Sequence, residues 1–237
     1  AWKANKHKYT KHEPAVPLYD TSDVEEALPH FITVSLDENH ILNQNISFSF
    51  YPTGHIPGAC SVLISCFGKS ILFSGDIGRS HSELLPSPVH PDTAVFVVME
   101  STYGDRLHEK GDSGQALALA VNDTLFKGGN VLIPCFAVGR AQDIVHLLYK
   151  LKQNKTIPKP VPLFLDSPMA ASASKTLLKY PDWFTIDQKE YAQMFSGITI
   201  NGDYEGTKEI IRQKGSKVVL AASGMLTGGR VLEYMKH

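Results

Sequence analysis

Apolar and polar positions alternate with a period of two from Phe31 to Phe73 and fall into helical spacing after Gly104. Ile32, Val34 and Leu36 read as one half-buried strand, Ile46, Phe48 and Phe50 as another, and Val62, Ile64 and Cys66 as a third. The third runs through Phe67-Gly68-Lys69-Ser70 into Ile71 and Phe73, which predicts a hairpin with a Gly-Lys turn. Residues 94–99 are apolar throughout and predict a strand buried on both faces. Upstream, Thr21-Ser22-Asp23 precedes helically spaced residues 24–28, and Pro29 closes a short capped helix. Residues 1–12 are polar and predict a solvated, partly helical end.

After Gly104 the pattern predicts a helix capped by Ser113 and stopped at Gly128-Gly129, then a strand over 130–134. A helix follows over 139–152, with Ile144, Leu147, Leu148 and Leu151 on one face. Strands at 162–165 and 217–222 alternate with helices at 168–179, 205–214 and 229–236, and a short helix is expected near 188–194. Such alternation predicts a mostly parallel sheet covered on both faces. The fold class is therefore α/β, with a sandwich-like domain over 1–103 and a Rossmann-like domain over 104–237. No Gly-x-Gly-x-x-Gly follows a strand of that second part, which argues against a dinucleotide site.

At 237 residues with net charge −1, the chain has the composition of a soluble globular protein and no global field that draws it to a polyanion. No apolar run has the length of a membrane span, and no secretory signal is present. Cys60, Cys66 and Cys135 form neither a disulfide framework nor a zinc ribbon, and they suit a reducing cytoplasm.

Three blocks carry candidate chemistry, each at the end of an apolar run: Gly54-His55-Ile56-Pro57-Gly58-Ala59, Ser74-Gly75-Asp76-Ile77-Gly78-Arg79 and Glu100-Ser101-Thr102-Tyr103-Gly104-Asp105-Arg106. Singly, each polar residue reads as a turn or cap residue. Jointly, a His, an Asp and a Glu leaving three strands on glycine-rich loops form a metal and acid/base set. Later loops lie where strands turn into helices and predict anion sites: Gly139 with Arg140, Ser167, and Ser223-Gly224-Met225. For Arg140 a salt bridge weighs equally with phosphate, and for Arg230 it weighs slightly more. His108, His146 and His237 read as exposed or packing side chains.

These blocks, with Pro134 to Gln142, Leu165 to Ala170 and Ala222 to Arg230, resemble the β-CASP branch of the metallo-β-lactamase superfamily over roughly residues 17–237. The resemblance implies a partial metallo-β-lactamase αββα sandwich followed by a β-CASP domain. It implies an RNA-hydrolysing enzyme with two zinc ions in the full-length site, His55 as ligand to the first and Asp76 bridging both. Glu100 would orient a histidine of a later motif, so the catalytic set is Glu100 and Asp76. Ser101, Tyr103, Gly139, Arg140, Ser167, Ser223, Gly224 and Met225 would meet substrate. RNA is the implied partner, without a membrane, and a homodimer fits the family. An inactive RNA-binding scaffold, a DNA-processing nuclease of the same branch and a small-ester hydrolase are the alternatives. The family's opening His-x-His-x-Asp-His block has no counterpart here, His7 and His12 being five apart, and its last two histidine motifs would lie beyond His237. The expectation is an internal fragment, inactive and metal-poor by itself.

Overall fold

The computed structural model describes residues 2–8, 11–36, 38–107 and 112–237. Helix α1 (Trp2–His7) and helix α2 (Thr21–Ala27) precede the first sheet. Asp20 rather than Thr21 caps α2: its carboxylate accepts from Ser22 and Asp23, while Asp23 accepts from the Asp20 N–H.

The first sheet has the order β1 (His40–Asn43), β2 (Ile46–Pro52), β3 (Cys60–Cys66), β4 (Lys69–Phe73) and β5 (Phe96–Val98). The first four strands are antiparallel, and β5 runs parallel to β4. Three expectations need correction here. Residues 31–35 form no strand, and Phe31 and Ile32 are exposed. Their alternation meets no partner strand among the described residues, whereas His40–Asn43, which carries a weaker pattern, pairs with β2 and places His40 against Phe48. The turn between β3 and β4 is centred on Phe67-Gly68, not Gly68-Lys69, because Lys69 already pairs with Cys66. Both central residues have positive φ, 47° and 75°, the conformation that matches strand twist in a two-residue hairpin. Finally, β5 is a strand but is exposed on both faces, with Val95 to Met99 all open. It sits at a sheet edge, and no described element covers it.

The second sheet is wholly parallel, in the order β6 (Val131–Pro134), β9 (Val218–Ala221), β7 (Leu163–Asp166) and β8 (Thr199–Asn201). Helices α3 (Ser113–Phe126), α4 (Arg140–Gln153), α5 (Pro168–Leu177), α6 (Gln188–Ser196), α7 (Tyr204–Arg212) and α8 (Val231–Tyr234) surround it. Alternation along the central strands feeds two cores. Leu163, Leu165, Val218 and Leu220 join α3 to α6, while Phe164, Val219 and Ala221 join α7 and α8. Both faces are therefore covered, as the unbroken apolar runs require. Asp112, not Ser113, caps α3 by accepting from Gly114 and Gln115. Strand β8 lies in a stretch where the pattern alone shows only a short helix.

The segment 83–85 crosses from the first part of the chain to the second. Leu84 is buried in the core beside α4 and α6, and Leu85 is also buried. Thr185 donates to the carbonyls of Leu84 and Glu83, and Lys150 pairs with Glu83 at 3.1 Å. No described helix is long and apolar enough to cross a membrane.

Candidate active site

Strand register places the three blocks at one end of the first sheet. Pro52 pairs with Cys60, Val62 with Phe73, and Phe73 with Val98, so the loops after β2, β4 and β5 leave side by side. Ser74 joins them: its N–H donates to the Val98 carbonyl, its hydroxyl accepts from the Glu100 N–H at 3.0 Å, and its carbonyl accepts from Ser61. Glu100 in turn accepts from the Ile77 N–H at 2.6 Å. The loop carrying Asp76 also docks on the loop carrying His55, through Gly78 N–H to the Thr53 carbonyl at 2.9 Å. Gly78 permits this approach, since a Cβ there would lie 2.2 Å from the Gly54 carbonyl.

His55, Asp76 and Glu100 are thereby brought together. His55 Nε2 lies 3.8 Å from Asp76 Oδ2, with side chains 46% and 72% exposed. The Ile77 N–H and the Thr102 hydroxyl hold the Glu100 carboxyl below the usual carboxylate range, helped by the charge of His55. An imidazole and a carboxylate are zinc donors, and this pair is open to solvent, so the donor chemistry fits. Among the described residues no group of three or more His, Cys, Asp or Glu converges, so the pair fits as part of a coordination shell.

The second half reaches this site through Gly139, the N-cap of α4. Its φ is 76°, and a Cβ would lie 2.6 Å from Ile56 Cγ2 in the His55 loop. Arg140 follows, half exposed, 3.9 Å from Asp143. Asp143 is a participant that sequence reading missed. Burial pushes its carboxyl up, while Arg140, Arg79, His146 and His55, in that order, oppose that rise. Its only signal was an acid in a helix's first turn.

Other expected substrate residues are placed differently. Ser101 and Tyr103 sit in the exposed turn after Glu100, where the Gly104 N–H donates to the Ser101 carbonyl. Ser167 is buried and its hydroxyl accepts from Ala170 as the N-cap of α5. Ser223 accepts from Met225 N–H, and Gly224 packs against Phe136. Arg230 donates to the Asp203 carbonyl and Thr207 and lies 3.7 Å from buried Asp166, so the salt-bridge reading of that residue holds. His146 is buried 3.5 Å from Glu190, and His237 is exposed; His108 lies outside the described residues.

Residues 141–237 match the Beta-Casp domain family. Ribonuclease TTHA0252 of Thermus thermophilus is 36% identical over 231 residues, which are 93% of this chain and 52% of that protein. The RNase J-like protein of Methanocaldococcus jannaschii is 30% identical over 223 residues, 92% of this chain and 52% of its own length. Endoribonuclease YSH1 of Kluyveromyces lactis is 30% identical over 220 residues, 90% of this chain and 29% of its own. The chain thus spans about half the length, or less, of these relatives.

Proposed function

We propose that the chain is part of a β-CASP protein of the metallo-β-lactamase superfamily and that the whole protein hydrolyses phosphodiester bonds of RNA, a reading supported by the Beta-Casp match over residues 141–237 and by the similarity to ribonucleases. One observation carries the reading: His55, Asp76 and Glu100 meet on three adjacent loops, against which the α4 N-terminus is docked. His55 and Asp76 would hold zinc together with donors from beyond these residues. Bound zinc supplies a nucleophile at neutral pH by acidifying water. Glu100, kept anionic by the bonds it accepts, is suited to orient an imidazole and favour its protonated form. Arg140, with Gly139, is the exposed cation next to the His55 loop and would take a phosphate oxygen of the strand.

The same proposal assigns residues 1–103 to the metal-binding domain and 104–237 to the β-CASP domain, supported by two sheets that share no strand. It includes a cytoplasmic location, which three free cysteines favour, and a homodimer.

The test uses the full-length protein and one RNA, scored for cleavage and for binding. Asp76→Asn and Glu100→Gln are each expected to lower cleavage about 100-fold or more and leave affinity within about twofold. Chelation should stop cleavage and added zinc restore it. Loss of binding in step with cleavage would defeat the division of roles.

A further inference from the structure

Phe136, Met169 and Met225 each follow a strand of the parallel sheet within four residues of its carboxyl end. Register puts Pro134 of β6 opposite Ala221 of β9, and Ala221 opposite Asp166 of β7. The chain leaves each strand near that level, and each exit carries a large apolar side chain open to water. Phe136 is 53% exposed, and Met169 and Met225 are each 66% exposed. Single exposed apolar side chains are ordinary on a surface. Three just beyond adjacent strands, two on loops and Met169 in the first turn of α5, at the edge where open α/β sheets take ligands, are a pattern.

The loop around Phe136 is fixed. Its carbonyl accepts from the Ala141 N–H at 3.1 Å, which ties it to the first turn of α4. A Cβ on Gly224 would lie 3.2 Å from the Phe136 nitrogen and 3.3 Å from its Cδ2, so the 223–226 loop rests against this residue without covering it. Arg140 begins the helix that Phe136 anchors, and Gly139 beside it touches the His55 loop. Phe136 and the half-exposed Arg140 thus flank Gly139, the residue that abuts the loop carrying His55.

We infer that this edge is a base-stacking platform for single-stranded RNA, with Phe136 facing one unstacked base and Met225 and Met169 flanking its neighbours. The inference rests on the RNA reading above and adds the groups that grip the bases. Strands about 4.8 Å apart place the β6 and β7 exits about 10 Å from each other. That distance is on the order of the span of a few nucleotides of a single strand. Every base has a π-face, so such a platform holds RNA without reading its sequence. The thioethers of methionine adapt to bases of different size. Arg140 complements the phosphates that accompany them.

The experiment measures binding of the full-length protein, with chelator present to stop cleavage, to a labelled oligouridylate of roughly ten nucleotides and to an abasic strand of equal length. Wild type should bind the base-bearing strand about tenfold more tightly than the abasic one. Phe136→Ala should remove that preference while leaving abasic binding unchanged, and Phe136→Trp should keep it. A deoxyoligonucleotide showing the same dependence on its bases would also support the platform, since stacking does not read the sugar. Equal weakening of both strands by Phe136→Ala would overturn the inference, as would a preference that survives it. Should Phe136→Ala unfold, judged by circular dichroism, the double variant Met169→Ala with Met225→Ala decides by the same criterion. Binding of both strands alike by wild type overturns the platform alone. Binding of neither overturns the RNA reading and the platform with it.

Discussion

Cys135 and Cys66 carry the same thiol into different surroundings. Cys66 ends β3 beside the exposed Phe67-Gly68 turn, whereas Cys135 follows β6 and is only 2% exposed. Burial pushes the Cys135 thiol up to about 11, against a smaller opposing effect of Arg140. A raised thiol value keeps the sulfur protonated, and the thiolate is the reactive form. At pH 8 the folded protein should therefore alkylate at Cys66 and leave Cys135 unmodified until denaturant is added. Mass spectrometry of iodoacetamide-treated protein checks this, and rapid native labelling of Cys135 would contradict the packing. Apolar neighbours in the sequence mark the cysteines as packing residues; the depth of burial at Cys135 comes from its place in the core shared by the sheet and helices α3 to α6.

At the scale of elements, Asp166 joins four of them. It is fully buried at the end of β7 and accepts from Asn201 of β8 at 2.8 Å, from Thr207 of α7 at 2.7 Å and from Tyr234 of α8 at 2.6 Å. Arg230 lies 3.7 Å away and supplies the opposing charge. Burial and the neighbouring carboxylate push the Tyr234 phenol up, so it remains a donor. Asp166→Ala would strand an arginine and three donors in a dry network. Its expected cost is about 3–5 kcal/mol, read as a lower urea midpoint, because a buried charge left unpaired is costly. Asp166→Asn keeps the shape and some of the bonds and should cost less. An alanine variant as stable as wild type would show that the network is open to water. Nothing in the residue order 165–170 announces this role. Asn201, Thr207 and Tyr234 lie 35, 41 and 68 positions away, and only the strand order brings them together.

For the whole molecule, the decisive contact is between the two sheet systems. Leu84 enters the core of the second, and Gly139 of the second abuts Ile56 of the first. Gly139→Ala would add a methyl group 2.6 Å from Ile56 Cγ2, on a backbone whose φ of 76° already disfavours a side chain. The expected result is a loss of about 1–3 kcal/mol. Faster hydrogen exchange in residues 53–59 should accompany it, with weaker RNA cleavage in the full-length protein. Unchanged exchange in that loop would mean that α4 does not support His55.

The sequence by itself determined the elements whose pattern is local. The helices at 140–153 and 204–212 and the strands at 163–166 and 218–221 follow from apolar spacing and caps. So does the grouping of His55, Asp76 and Glu100, because each ends an apolar run on a glycine-rich loop and the three strands are near neighbours in the chain. Tertiary structure decided what depends on a partner. Residues 94–99 and 218–221 have the same unbroken apolar signature, yet the second lies between two layers of helices and the first is exposed at a sheet edge. Residues 31–35 alternate as a strand does but pair with no strand among the described residues, and an unpaired strand is not a stable element. Asp143 and Asp166 read as a helix-cap acid and a strand end until distant elements supply the cations and donors that surround them. Spacing along a chain records which face a residue takes; burial and charge pairing depend on what meets that face.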